Sequence, residues 1–204
     1  SFVSRGLGDV YKRQMLNIVL FGPPGAGKGT QANFLKESFN LKHISTGDVF
    51  RKNIKNQTPL GNLAQSYMDK GALVPDQVTI DMLSDEVSKN TSAEGFIFDG
   101  FPRNTVQADA LESLLSKYDA QVDAMIALEV ADEVLVKRLL KRGETSGRAD
   151  DSSEEIVRNR IQIYYSETAI LKSYYQEKQR YHGVDGVGAI AAITARLNAV
   201  VKAL

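Results

Sequence analysis

The residues Gly22-Pro23-Pro24-Gly25-Ala26-Gly27-Lys28-Gly29-Thr30 follow directly on the apolar run Leu16-Asn17-Ile18-Val19-Leu20-Phe21. An apolar strand, a glycine-rich turn and a lysine at the threshold of a helical pattern together make a cradle for phosphate. Glycine lets the backbone turn tightly enough for successive N–H groups to point inward at an anion. The Lys28 ammonium then reaches the β- and γ-phosphates as a point charge. The string fits G-x-x-x-x-G-K-[ST] except at its end, where Gly29 intervenes and Thr30 comes late. A plain Gly/Pro turn between strand and helix is the competing reading, and the full string after a strand weighs against it.

Strand-like and helix-like segments alternate from Met15 onward. Strands are predicted over 16–21, 41–44, 95–99, 122–130 and 182–184. Helices are predicted over 27–39, from Thr46, over 60–70 with Gly71 as the stop, from Pro75 to about Asn90, and over 104–117, 133–141, 153–178 and 189–204. Thr46 or Asp48 could cap the helix that opens there, and Pro59 interrupts the pattern before the next helix. Val106, Ala110, Leu111, Leu114 and Leu115 stand at helical spacing within 104–117, and a polar loop is expected over 144–151. The alternation predicts an α/β fold: a parallel five-stranded sheet of the P-loop NTPase type, with helices on both faces. Ligands of such sheets sit beyond the carboxyl ends of the strands, where the cradle and Asp99 both lie.

The 204 residues suit one domain with insertions. Lys+Arg and Asp+Glu balance at 25 each, which argues against a bulk polyanion partner such as duplex nucleic acid. The absence of cysteine rules out disulfides and thiolate zinc sites and suits a reducing compartment; a cytoplasmic location is expected. No apolar run approaches the roughly 18 residues of a membrane span. Residues 1–14 look foreign to the domain and read as a non-native leader or disordered extension ahead of a start at Met15. They lack the apolar stretch of a secretory signal, and a transit peptide is the lesser alternative.

Beyond the cradle, Asp99 ends the strand Phe96-Ile97-Phe98 and could hold Mg²⁺ through its waters or cap the next segment. Arg103 would face the same cleft and could fork a phosphate. Arg138 and Arg142 share one helix face, and Arg148 and Arg160 come after them. A solvated basic face is the bland reading of these cations, and the cradle in the same chain favours phosphate binding. His43 and His182 have no metal-spaced partner and read as structural or surface residues. Their scarcity is compatible with catalysis. A nucleoside monophosphate is already anionic near neutral pH, its second pKa being about 6, so its transfer needs position and positive charge, not a general base.

The cradle, Ser45-Thr46-Gly47-Asp48, Gly71-Ala72-Leu73-Val74-Pro75-Asp76, Asp99-Gly100-Phe101-Pro102-Arg103 and Ser146-Gly147-Arg148-Ala149-Asp150-Asp151 together resemble the adenylate kinase family, motif by motif and in order, over 15–204. The Gly29-Thr30 ending is the usual form in that family. The resemblance implies reversible phosphoryl transfer between MgATP and AMP giving two ADP, with a monophosphate-binding part at about 45–74 and a short lid at about 142–151. It implies that Gly25, Ala26, Gly27, Lys28, Gly29 and Thr30 hold the ATP phosphates, and that Lys28 spans the transferring group. By the same carry-over Thr46, Arg51, Ala72, Leu73, Val74, Gly100, Phe101, Pro102, Arg103 and Gln107 bind AMP. Arg138 stacks on the ATP adenine, Arg142 contacts its phosphates, and Gly188 lies near the base. Arg148 and Arg160 close around the reacting phosphates, and Asp48 and Asp99 order the water shell of Mg²⁺. The short span between Arg142 and Arg148 resembles the short-lid form, without structural zinc; the implied protein is a monomer. A UMP/CMP kinase is the nearest rival, and Thr46 and Gln107 favour adenine over it. A nucleotide-binding module without turnover is the rival from another class.

Overall fold

A computed structural model describes residues 15–204; the expectation for 1–14 lies outside the described residues. Five parallel strands, β1 (Leu16–Phe21), β2 (Lys42–Ser45), β3 (Gly95–Asp99), β4 (Ala124–Glu129) and β5 (Tyr181–Asp185), form one sheet in the order β2-β3-β1-β4-β5. The register sets Leu20 beside Asp99, and Ser45 on the other side of Asp99. The ends of β1, β2 and β3 therefore converge on one patch.

The strands are apolar almost throughout because both faces of the sheet are covered. Ile18 and Leu20 pack with α1 (Lys28–Phe39), α6 (Asp132–Ser146), α7 (Glu154–Ile163) and α9 (Ile190–Lys202). Val19 and Phe21 face the opposite way, onto α4 (Asp76–Ser88), α5 (Thr105–Ser116) and α8 (Leu171–Glu177). A third, smaller cluster of Phe50, Ala64, Val74 and Met82 joins α2 (Thr46–Lys55) and α3 (Pro59–Met68) to α4.

Several expectations shift at their edges. The cap of α2 is neither Thr46 nor Asp48: the Ser45 hydroxyl accepts from the Asp48 N–H, and β2 ends one residue later than expected to supply it. Strand β4 is shorter than 122–130, although Val122 is still buried. Val106 keeps helical spacing but points outward, so the buried stripe of α5 begins at Gln107 and Ala108. The polar loop expected over 144–151 is largely helical: α6 runs to Ser146 and stops at Gly147, and a 3₁₀ turn covers Ala149–Asp151. The helix expected over 153–178 is broken by a π turn at Tyr164–Thr168. Among the described residues no helix is long and apolar enough to cross a membrane.

Candidate active site

The turn between β1 and α1 has positive φ at Gly22, Gly25 and Gly27. Gly25 shows why the position excludes other residues: its φ is +84°, and a Cβ there would lie 2.9 Å from Leu139 Cγ and 3.2 Å from the Leu135 carbonyl. No side chain caps α1, so its first N–H groups are left for a ligand at the positive end of the helix.

Two adjoining cavities open at the carboxyl edge of the sheet. Gly25, Gly27, Lys28, Gly29, Thr30, Arg142 and Arg148 line one, together with Asp48, Asp99 and His43. The other is lined by Thr46, Phe50, Ala72, Leu73, Val74, Gly100, Phe101, Pro102 and Gln107. The first is polar and rich in cations, as a polyphosphate requires, while the second offers apolar walls with isolated polar groups, as a nucleoside does. Where the two meet, the shared charged side chains are Lys28, Arg51, Arg103 and Arg160, all cations.

Crowding these cations has a visible electrostatic consequence. Burial pushes the Lys28 ammonium down to about 8; nearby Asp99 opposes this, while Arg103, Arg160 and Arg142 add to it. Its Nζ donates to the carbonyls of Gly22 at 2.9 Å and Pro23 at 3.1 Å. Arg103 is pushed down to about 10, first by burial and then by Arg160. Its Nε donates to the Gly100 carbonyl at 2.8 Å, which aims the rest of the guanidinium at the junction. Burial lowers Arg160 as well, offset by Asp150 and Asp151. Burial also lowers Arg148, helped by Arg51 and Arg142. The six cations Lys28, Arg51, Arg103, Arg142, Arg148 and Arg160 exceed the carboxylates beside them, Asp48, Asp99, Asp150 and Asp151, and that excess of positive charge is matched to a polyanion.

Asp151 organises the clamp. Its side chain is fully buried and accepts from Arg142 Nε at 2.6 Å, Arg142 Nη2 at 3.0 Å and Arg160 Nη1. Arg160 also bonds Asp150 through Nη2 at 3.1 Å. Neither aspartate carries an expected role from the sequence, where the only signal is their place in Arg148-Ala149-Asp150-Asp151. His43 is a further residue without one: it lines the phosphate cavity, with Nε2 3.5 Å from Asp99 Oδ2.

Asp48 bonds Arg51 at 2.6 Å. Burial works upward on its pKa, but the Arg51 bond and the charges of Arg51 and Arg148 outweigh it and hold the group below its ordinary value. Asp48 and Asp99 line the phosphate cavity as separate carboxylates, and among the described residues no cluster of three or more His, Cys, Asp or Glu could enclose a metal. Such a donor set fits Mg²⁺, which takes one or two carboxylates, keeps waters and completes its shell with phosphate oxygens.

Three residues with expected roles stand apart from both cavities. Ala26 is buried beneath the cradle. Arg138 donates to the carbonyls of Gly25 at 3.5 Å and Gly186 at 3.3 Å, which bridges the cradle to the loop after β5, where Gly188 lies.

A model of the family described as adenylate kinase matches residues 20–180. The chain belongs to the adenylate kinase family. An adenylate kinase of Flavobacterium psychrophilum is 60% identical over 190 residues, covering 93% of this chain and all of the relative. One of Flavobacterium johnsoniae is 56% identical over the same shares, and one of Cyanothece is 43% identical over 93% of this chain and 97% of its own. The five-stranded parallel sheet and the cradle after β1 are thus those of an adenylate kinase.

Proposed function

We propose that the chain transfers a phosphoryl group reversibly from MgATP to AMP, giving two ADP. The observation that carries this reading is the junction of the two cavities, where Lys28, Arg51, Arg103 and Arg160 would face the reacting phosphates from both nucleotides. In the forward direction an oxygen of the AMP phosphate bonds the γ-phosphorus as the bond from that phosphorus to the β-bridging oxygen breaks. The cations neutralise charge on the equatorial oxygens of a loose transition state. The attacking oxygen is already anionic near neutral pH, its second pKa being about 6, so no side chain has to remove a proton.

Gly25, Gly27, Lys28, Gly29 and Thr30 hold the ATP phosphates, with Arg142 and Arg148 above them. Arg138 and Gly188 flank the adenine of ATP, and Ala26 supports the cradle from below. Thr46, Arg51, Ala72, Leu73, Val74, Gly100, Phe101, Pro102, Arg103 and Gln107 enclose AMP. Asp48 and Asp99 would hold Mg²⁺ through water, and the ion when bound offsets β- and γ-phosphate charge. Residues 45–74 and 142–151 are the parts that close over the nucleotides and exclude water, which keeps ATP from simple hydrolysis. The chain works as a monomer in the cytoplasm, without nucleic acid.

ADP formation from MgATP with AMP, UMP, CMP and GMP offered separately tests the reading. A strong preference for AMP is expected. Preference for UMP or CMP would overturn the acceptor assignment, and no transfer to any acceptor with ATP still bound would overturn the activity.

A further inference from the structure

The Gln107 side chain is 1% exposed and lines the nucleoside cavity, and both ends of its amide are engaged by groups that leave no choice of orientation. The Arg103 backbone N–H, which can only donate, gives its hydrogen to Gln107 Oε1 at 2.9 Å. Gln107 Nε2 donates to Asp76 Oδ1 at 2.7 Å. A second amide repeats the arrangement. The Gln107 backbone N–H donates to Asn104 Oδ1 at 2.9 Å, so Asn104 must turn its Nδ2 the other way, and that nitrogen also donates to Asp76 Oδ1, at 2.9 Å. Two backbone N–H groups thus set the sense of two amides, and one carboxylate, an acceptor only, receives both.

We infer that Asp76 is a positioning residue for base selection: it locks the Gln107 amide in the sense that accepts adenine and rejects a 6-oxopurine. The inference rests on the reading of this cavity as the AMP pocket. An amide oxygen has two lone pairs and an amide nitrogen two hydrogens, so Gln107 keeps one acceptor site and one N–H for a ligand. Adenine offers the complement, an N6–H donor and an N1 acceptor. A 6-oxopurine offers the reverse, an O6 acceptor and an N1–H donor. A free amide would turn over and read either edge equally well. Turning Gln107 over would set Oε1 against the Asp76 carboxylate and Nε2 against the Arg103 N–H, leaving buried polar groups unpaired at both ends. Sites built to pair a polar edge reject its mismatch strongly for the same reason.

The test compares kcat/KM for AMP and inosine monophosphate, with MgATP as donor, in the wild type, Asp76→Ala and Asp76→Asn. IMP differs from AMP only along the edge in question. The wild type is expected to favour AMP by about 10³-fold, from two mismatched hydrogen bonds. Asp76→Ala removes one end of the lock and is expected to cut that ratio by about tenfold or more. Asp76→Asn can still set an amide oxygen where Oδ1 accepts from both Asn104 and Gln107, so it is a control expected to keep most of the ratio. A further variant, Asp76→Leu, similar in shape but without an acceptor, is expected to lose the ratio and carries the test should the alanine variant fail to fold. A folded Asp76→Ala or Asp76→Leu variant that loses activity equally toward AMP and IMP overturns the inference and leaves Asp76 a structural residue. A wild type that uses IMP as well as AMP overturns the adenine reading itself, a different result.

Discussion

Arg103 stands where the two cavities meet, held by the Gly100 carbonyl and pushed well below an ordinary arginine by its surroundings. A lysine there keeps the charge but not the fork. Arg103→Lys is expected to lower turnover by roughly 10²-fold or more with ATP affinity unchanged, measured by steady-state kinetics and calorimetry. Lys28 makes a pH-dependent prediction. Its free-state value of about 8 lies below the ordinary 10.5. Between these values the amine is mostly neutral in the free enzyme, whereas a bound triphosphate favours the ammonium. ATP binding at about pH 9 should therefore take up a proton, and affinity should fall as pH rises past about 8. Calorimetry in two buffers of different ionisation enthalpy reads this directly, and equal heats would contradict it. At this scale the cations and the cradle were legible because each stands in a local motif. The clasp of Asp151 and the lock of Asp76 on Gln107 were not, since each links residues from different elements.

Two glycines near the end of α6 separate what an element requires from what a loop tolerates. Gly143 lies inside the helix, where a Cβ would sit 2.3 Å from the Asp151 carbonyl oxygen; at Gly147 φ is +63° but nothing lies within 4 Å. Gly143→Ala should cost about 2 kcal/mol or more and loosen the turn that carries Asp150 and Asp151, so that melting temperature and turnover fall together. Gly147→Ala should cost only about 1 kcal/mol, from backbone strain, with turnover nearly kept. Equal effects of the two changes on turnover would show that Gly143 has no special place beside Asp151. The polar composition of 144–151 suggested a loop, but α6 continues to Ser146 and ends only where Gly147 turns into the left-handed region and its N–H donates to the Gly143 carbonyl at 3.3 Å. The break in the helix expected over 153–178 has its cause in packing. Val157 and Ile161 serve the cluster on one face of the sheet, Leu171 and Tyr175 the cluster on the other. The π turn at Tyr164–Thr168 lies between them, a rotation that periodicity alone does not announce.

The described residues bury three apolar clusters of unequal size. Those on the two sheet faces enclose β1, β3 and β4, while Phe50, Ala64, Val74 and Met82 form a small separate group. Hydrogen exchange should therefore open 46–68 at a lower free energy than β1, β3 and β4, and saturating ATP with AMP should narrow the gap. Uniform exchange across both regions would refute this division. The strand–helix alternation, the phosphate cradle and the chemistry of the cations could be read along the chain, because apolar periodicity, glycine geometry and side-chain charge act over a few residues. Strand order, the meeting of two cavities over four cations, the burial that depresses Lys28, and the paired locks on Asp151 and Gln107 came only with packing. Each depends on segments tens of residues apart being brought within hydrogen-bonding distance, and no local pattern carries that information.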